Sequence, residues 1–260
     1  MKDDDQIELL LEKMRWLRLP GMARELRTIL EIAAKKNLSP LDVAHRLCDE
    51  EKASRIKGAV DRRIKDARFP ELNTIDAFNF DFCPTRKKLR AAYLALHDLS
   101  FIERGVNPLF IGTPGTGKTF LARALAYKAC QQTKRVLVVS APRMLNDLCG
   151  AEVHGDLEKA LRRYARVDLL VIDDFAVLAM DPTQAKLAFQ VISERYDHRR
   201  STAITTNRPF KDWSKVFPTR STPKSSPSGS PNAPSDSLWT ERDIDRRAQP
   251  TLRPHPGRPS

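Results

Sequence analysis

Gly112, Gly115 and Gly117 fall close together and run directly into Lys118 and Thr119, with Thr113, Pro114 and Thr116 between them. The pattern is G-x-x-x-x-G-K-T. Glycines let a backbone curl until successive N–H groups face one anion. Lys118 adds a full positive charge aimed at the β- and γ-phosphates of a triphosphate, and the Thr119 hydroxyl is a hard oxygen ligand for Mg²⁺. Further along, Leu169-Leu170-Val171-Ile172 ends in Asp173-Asp174. An apolar strand that emerges beside such a loop and ends in carboxylates puts Asp173 on the Mg²⁺, through water. Asp174 is then placed to polarise an attacking water. Asn207 ends another apolar run, Thr202–Thr206. Its amide suits a water or the γ-phosphate, and it equally suits the start of a turn before Pro209.

These residues need a scaffold, and the chain around them alternates. Leu109-Phe110-Ile111 is a strand that feeds the loop, and residues 118–132 continue as a helix. Val136–Ser140 and Leu169–Asp173 read as near-continuous apolar strands, the pattern of a parallel sheet covered on both faces. Helices are expected over 142–148, 156–164 and 182–196, and a fourth strand over 202–207. Strands alternating with helices define an α/β fold with a parallel sheet flanked by helices. Arg195, Arg199 and Arg200 end the last of these helices, either as cations opposite its dipole, the favoured reading, or as reach toward a neighbouring subunit's nucleotide.

Residues 1–69 read as a small all-helical domain. Ile7, Leu10, Leu11, Met14 and Leu17 keep helical spacing, and Pro20-Gly21 interrupts it. A second helix follows. Ser39-Pro40 starts a third, with Leu41, Ala44, Leu47 and Cys48 on its apolar stripe, and a fourth carries Ile56, Val60, Ile64 and Ala67. Arg55, Arg62, Arg63 and Lys65 make that last helix basic. Arg86, Lys87 and Lys88 form a second basic cluster within residues 70–106, a connector that also sets Phe78, Phe80 and Phe82 at period two, as an extended segment would. Both clusters are candidate DNA phosphate contacts, and both are also what a solvated surface helix looks like.

The whole chain of 260 residues carries a formal net charge of +12, which favours a polyanionic partner such as DNA bound largely without regard to sequence. Cys48, Cys83, Cys130 and Cys149 are widely separated, which argues against a zinc site or a disulfide framework. A long apolar run and a signal peptide are both missing, so a cytoplasmic protein without membrane partners is expected. The ATPase-like core is read over 107–217. Residues 218–260 hold nine of the 18 prolines with abundant Ser and Arg, and are expected to be a disordered tail.

Taken together, Leu19-Pro20-Gly21-Met22, Phe78-Asn79-Phe80-Asp81-Phe82, Phe101-Ile102-Glu103-Arg104-Gly105, the loop at 112–119, Leu169–Asp174, Ile192-Ser193-Glu194-Arg195-Tyr196 and Thr205-Thr206-Asn207-Arg208-Pro209-Phe210 with Trp213 resemble the IstB-like ATP-binding proteins. These are helpers of insertion-sequence transposases, related to DnaC-type helicase loaders. The resemblance covers residues 5–217. It implies an AAA+ ATPase core and ATP-dependent self-assembly on DNA. It also implies recruitment or stimulation of the transposase of the same insertion element. By position it assigns ATP to Gly112–Thr119, Mg²⁺ to Thr119 and Asp173, and catalytic roles to Lys118, Asp174 and the sensor position Asn207. Asp174 stands where the family usually has glutamate, which is one methylene longer, so slower water activation is implied. After Phe217 similar proteins continue with an arginine-bearing helix and a last strand. Here the proline-serine-arginine tail stands instead, as a frameshifted end or a true extension, and impaired hydrolysis with an exposed sheet edge is expected. A DnaC-like helicase loader and a hydrolysis-deficient DNA-binding remnant are the competing readings.

Overall fold

The computed structural model describes residues 2–175 and 180–208. The expected tail at 218–260, the segment after Asn207 with Trp213, and the questions of a missing helix and strand lie outside the described residues.

The chain divides into two compact units, the first ending at Arg62. The sequence pattern alone places that boundary at residue 69. The first unit contains α1 (Lys2–Trp16), α2 (Pro20–Lys36) and most of α3 (Pro40–Ala67). Its core is Leu11, Met14 and Leu26, ringed by Ile7, Leu19, Met22, Leu30 and Leu47. Gly21 is needed there because a Cβ would sit 2.5 Å from the Glu50 carbonyl oxygen. That close approach lets the buried Glu51 carboxylate accept the Gly21 and Met22 amides at 2.8 and 3.3 Å, capping α2. The third and fourth helices read from the sequence are one continuous α3. No proline falls between Pro40 and Ala67, and its one interior glycine, Gly58, has open space around it.

The second unit starts within the last turns of α3. Phe78, Phe80 and Phe82 were expected on an extended segment. They lie instead in and beside two short 3₁₀ turns, Ile75–Ala77 and Phe80–Phe82. Then come α4 (Pro84–Leu94), α5 (Ser100–Glu103), β1 (Leu109–Ile111), α6 (Lys118–Gln131), β2 (Val136–Ser140), α7 (Ala141–Val153), α8 (Leu157–Ala165), β3 (Leu169–Asp173), α9 (Pro182–Asp197) and β4 (Ser201–Thr206). The four strands are parallel in the order β1-β4-β3-β2. The α/β architecture expected from the sequence is therefore present. Among the described residues β1 and β2 are the sheet's edges.

Alternation along each strand feeds two cores. Leu137, Val139, Leu170, Ile172 and Ile204 face one way, toward Met144, Leu148, Tyr164, Leu187 and Val191. Val136, Val138, Leu169, Val171 and Ala203 face the other, toward Leu121, Leu125, Ala129, Tyr93 and Phe101. The interior strands β3 and β4 are buried along their whole length, which is why they read as unbroken apolar or β-branched runs. α9 begins with a full capping box, Asp181 accepting the Gln184 amide while Gln184 reaches back to the Asp181 amide. Its Arg195 is completely buried. It donates to Thr202 Oγ1 and to the carbonyls of Tyr164, Ala165, Val167 and Ser201. Arg200 pairs with Asp168, which also holds Arg135. Both arginines are thus bound within their own chain.

Candidate functional site: the phosphate loop and its carboxylates

The loop leaves β1 at Ile111 and enters α6 at Lys118. It is anchored at its start by the Gly112 amide on the Thr206 carbonyl, 3.3 Å. Gly115 and Gly117 adopt φ of 78° and 93°, a region costly for any residue with a Cβ. Gly117 is constrained a second time, because a Cβ there would lie 2.5 Å from the Phe78 ring. Thr116 Oγ1 and Lys118 Nζ both donate to the Thr113 carbonyl at 2.8 Å, so the loop curls around its own interior. Burial holds the Lys118 ammonium below the usual lysine range, against the opposing pull of Asp174 and Asp173.

β4 lies between β1 and β3, yet the loop and the β3 carboxylate meet, because α6 carries Thr119 across the sheet's end. Thr119 Oγ1 donates to Asp173 Oδ1 at 2.8 Å. Thr205 Oγ1 donates to the same oxygen at 2.5 Å. Arg123, one turn after Thr119, reaches Asp173 Oδ2 at 3.0 Å. Asp174 turns away in the left-handed region, φ 56°, with its amide on Thr205 Oγ1 at 3.0 Å and its carboxylate exposed. Asn207 is also exposed and immediately follows Thr206, whose carbonyl anchors Gly112.

The oxygen donors suit Mg²⁺. Thr119 and Asp173 offer two hard ligands side by side, and Mg²⁺ normally completes its shell with water and phosphate oxygens. No cluster of three or more His, Cys, Asp or Glu able to hold a metal occurs among the described residues. The curled loop suits a phosphate chain at the N-terminus of a 14-residue helix.

The basic residues offered for DNA are dispersed. Arg55 pairs with Glu51 at 2.8 Å within the first unit, where Arg62 is exposed. In the second unit Arg63 donates to the Thr133 carbonyl at 3.1 Å, and Lys65 and Lys88 are exposed. Lys87 lies 3.9 Å from Asp81. Arg86 lies on the phosphate loop. Its Nη2 donates to the Gly115 carbonyl at 3.1 Å, and its guanidinium is held between the Phe78 and Phe82 rings, 4.9 and 4.8 Å from their centroids. Thr205, Arg123 and this ring–guanidinium–ring stack were missed by sequence reasoning. The only signal for the stack was the clustering of period-two phenylalanines with a nearby basic run.

A parallel sheet, a glycine-rich loop opening a helix and a strand-end carboxylate bonded to the loop's threonine define a P-loop nucleotide-binding protein of the AAA+ type. Residues 12–222 match the family described as IstB-like ATP binding protein. The chain belongs to that family. It is 32% identical over 208 residues to the insertion sequence IS232 putative ATP-binding protein of Bacillus thuringiensis subsp. berliner, covering 80% of this chain and 82% of that one. It is 34% identical to the IS5376 putative ATP-binding protein of Geobacillus stearothermophilus, covering 77% and 78%. Among solved structures, domain III of the Thermotoga maritima replication initiation protein DnaA is 28% identical with a TM-score of 0.50, over 58% of this chain and 63% of that one. The DnaC helicase loader, at 22% identity and a TM-score of 0.51 over 55% and 86%, shares the fold. Among the described residues, no helix is long and apolar enough to cross a membrane.

Proposed function

We propose that this chain is an ATPase that assembles on DNA with ATP and recruits or stimulates the transposase of its own insertion element. The observation that carries the reading is the meeting of Thr119 and Asp173 at 2.8 Å beside the loop. The curated relatives support the setting, since both are named as insertion-sequence ATP-binding proteins.

In this reading the loop amides and Lys118 bind the β- and γ-phosphates. Thr119 and Asp173 hold Mg²⁺, which when bound draws charge from the γ-phosphoryl oxygens. Asp174, exposed and fixed by Thr205, orients the attacking water and takes its proton. Asn207 steadies that water or the γ-phosphate. Arg123 keeps Asp173 aimed. Self-assembly on DNA multiplies weak, sequence-neutral contacts, because non-specific sites of this kind bind at about 10⁻⁴–10⁻⁶ M each.

The test is ATP turnover by the full chain with and without duplex DNA, alongside capture of the transposase of the same element and of a replicative helicase. DNA-stimulated turnover with transposase capture supports the reading. Absence of ATP binding, or capture of the helicase alone, rejects it.

A further inference from the structure

Beside the nucleotide loop, on the β2 side of Asp173, lies a cavity of about 80 Å³ lined by Arg68, Arg123, Arg143, Arg163, Ser140 and Asp173. Four arginines line it against one aspartate, and Arg123 is already paired with that aspartate. Arg163 has a second interaction, 3.6 Å from Asp147. Arg68 and Arg143 are exposed and have no ion-pair partner among the described residues.

Further features suit an anion here. The Nε–H of Arg123 is buried without a hydrogen-bond acceptor. Arg143 also sits in the first turn of α7, a helix of 13 residues that starts at Ala141. A cation at the positive end of a helix is on the wrong side of the dipole, unless an anion lies between them. The N-cap residue Ser140 makes no capping bond with its side chain, so its hydroxyl remains available to a ligand. An adjoining cavity of about 290 Å³ shares Arg68 and Arg163 and adds Arg63 and Arg135, against Asp66, so the positive lining continues along the β2 edge.

We infer that the Arg68–Arg123–Arg143–Arg163 cavity is a phosphoryl-anion site, distinct from the phosphate loop. At about 80 Å³ it is smaller than the roughly 300–1,000 Å³ of sites that enclose drug-sized ligands, and it suits a single oxyanion. One tetrahedral oxyanion suits the forked donors of several arginines. That oxyanion comes either as free phosphate or as one phosphodiester of a nucleic acid whose neighbouring phosphates follow the β2 edge. The site stands whether or not the chain turns over ATP.

Inorganic phosphate is the first probe, with thermal melting of the full chain in phosphate-free buffer as the readout. Phosphate also enters the nucleotide loop, so the comparison is made in a Lys118→Ala background. Phosphate is expected to raise Tm in Lys118→Ala, and the rise is expected to vanish when Arg143→Gln or Arg68→Gln is added. Both residues are exposed, so an unchanged Tm without phosphate verifies that the variants fold. The second probe is a short DNA duplex, its affinity measured across a salt series on Arg143→Gln with Lys118 intact. A phosphodiester in the cavity lowers the magnitude of the log–log salt slope by about 1. Loss of the phosphate effect with an unchanged slope assigns the site to the free anion, and a reduced slope assigns it to the nucleic acid. The inference is overturned if phosphate acts alike with and without the arginine changes and the slope also stays the same. ATP binding by Arg143→Gln, which lies outside the nucleotide loop, reports on that loop separately.

Discussion

The Thr205 hydroxyl joins the two candidate catalytic carboxylates, donating to Asp173 Oδ1 at 2.5 Å and accepting the Asp174 amide at 3.0 Å. One side chain on the central strand β4 therefore sets both the aim of Asp173, the proposed metal ligand, and the left-handed turn of Asp174, the proposed water-activating acid. Groups behind a metal ligand commonly matter 10–100-fold in affinity or activity. Thr205→Val keeps the shape and removes the hydroxyl. We expect kcat for ATP to fall roughly 10–100-fold, with a smaller change in ATP affinity, since Lys118 and the loop amides are untouched. Turnover and equilibrium binding on the same sample check this. Equal losses in both would mean that Thr205 serves the loop and not the carboxylates.

Gly117 is excluded from substitution on two grounds, its φ of 93° and the Phe78 ring 2.5 Å from where a Cβ would stand. Gly117→Ala should abolish measurable ATP binding, and should lower stability by about 1–3 kcal/mol from the backbone strain with the collision in addition. Phe78→Ala combined with Gly117→Ala removes the collision and leaves the strain. The double variant should therefore regain part of the melting temperature and little of the ATP affinity. Full recovery of both would show that only the ring matters.

Lys118 gives a pH dependence with a definite sign. Burial keeps its ammonium below the ordinary value of 10.5 in the free protein. A bound triphosphate favours the charged form, so binding raises the pKa and takes up a proton. ATP affinity should thus be highest below the free-state pKa, and should fall as pH rises through it, by up to tenfold per pH unit. The decline should begin at lower pH than an ordinary lysine would give. Lys118→Arg stays charged throughout and should flatten the profile, even if its affinity is lower. Calorimetry in buffers of different ionisation enthalpy reads the proton uptake directly. Proton release would contradict the assignment.

The loop and the Asp173-Asp174 pair were legible because each is a local pattern, and local backbone demands (glycine at positive φ, apolar residues in an interior strand) leave a mark on neighbouring residues. What was illegible depends on partners far away in the chain. Thr205 reads as one more β-branched strand residue, and its role exists only because β4 lies next to β3. Arg86 reads as one of three consecutive basic residues, yet its position is set by rings supplied by two 3₁₀ turns and by the Gly115 carbonyl. The continuous α3 reads as two helices because its apolar positions drift along its length, although no proline interrupts it.

Arg195 is the strongest case of a residue whose type misdirects. Near the end of α9 it reads as a cation opposite that helix's own dipole, but it is fully buried and spends its donors on Thr202 Oγ1 and the carbonyls of Tyr164, Ala165, Val167 and Ser201. Burial lowers its guanidinium to about 9, so it remains charged at neutral pH. Tyr164 and Ala165 are the last residues of α8, so the cation sits at that helix's negative end and ties α8 and α9 to β4. Arg195→Met removes a buried charge, which is favourable, and strands several carbonyls, each costing roughly 1–3 kcal/mol. The second effect wins because more than one acceptor loses its partner. The expected net loss is a few kcal/mol out of a total of about 5–15 kcal/mol. Arg195→Lys retains the charge with fewer, differently arranged donors, and should also be clearly destabilised. Urea denaturation measures both, provided the m-value is unchanged. A Met variant within about 0.5 kcal/mol of the parent, the range of ordinary surface changes, would show that these hydrogen bonds do not hold the helices in place.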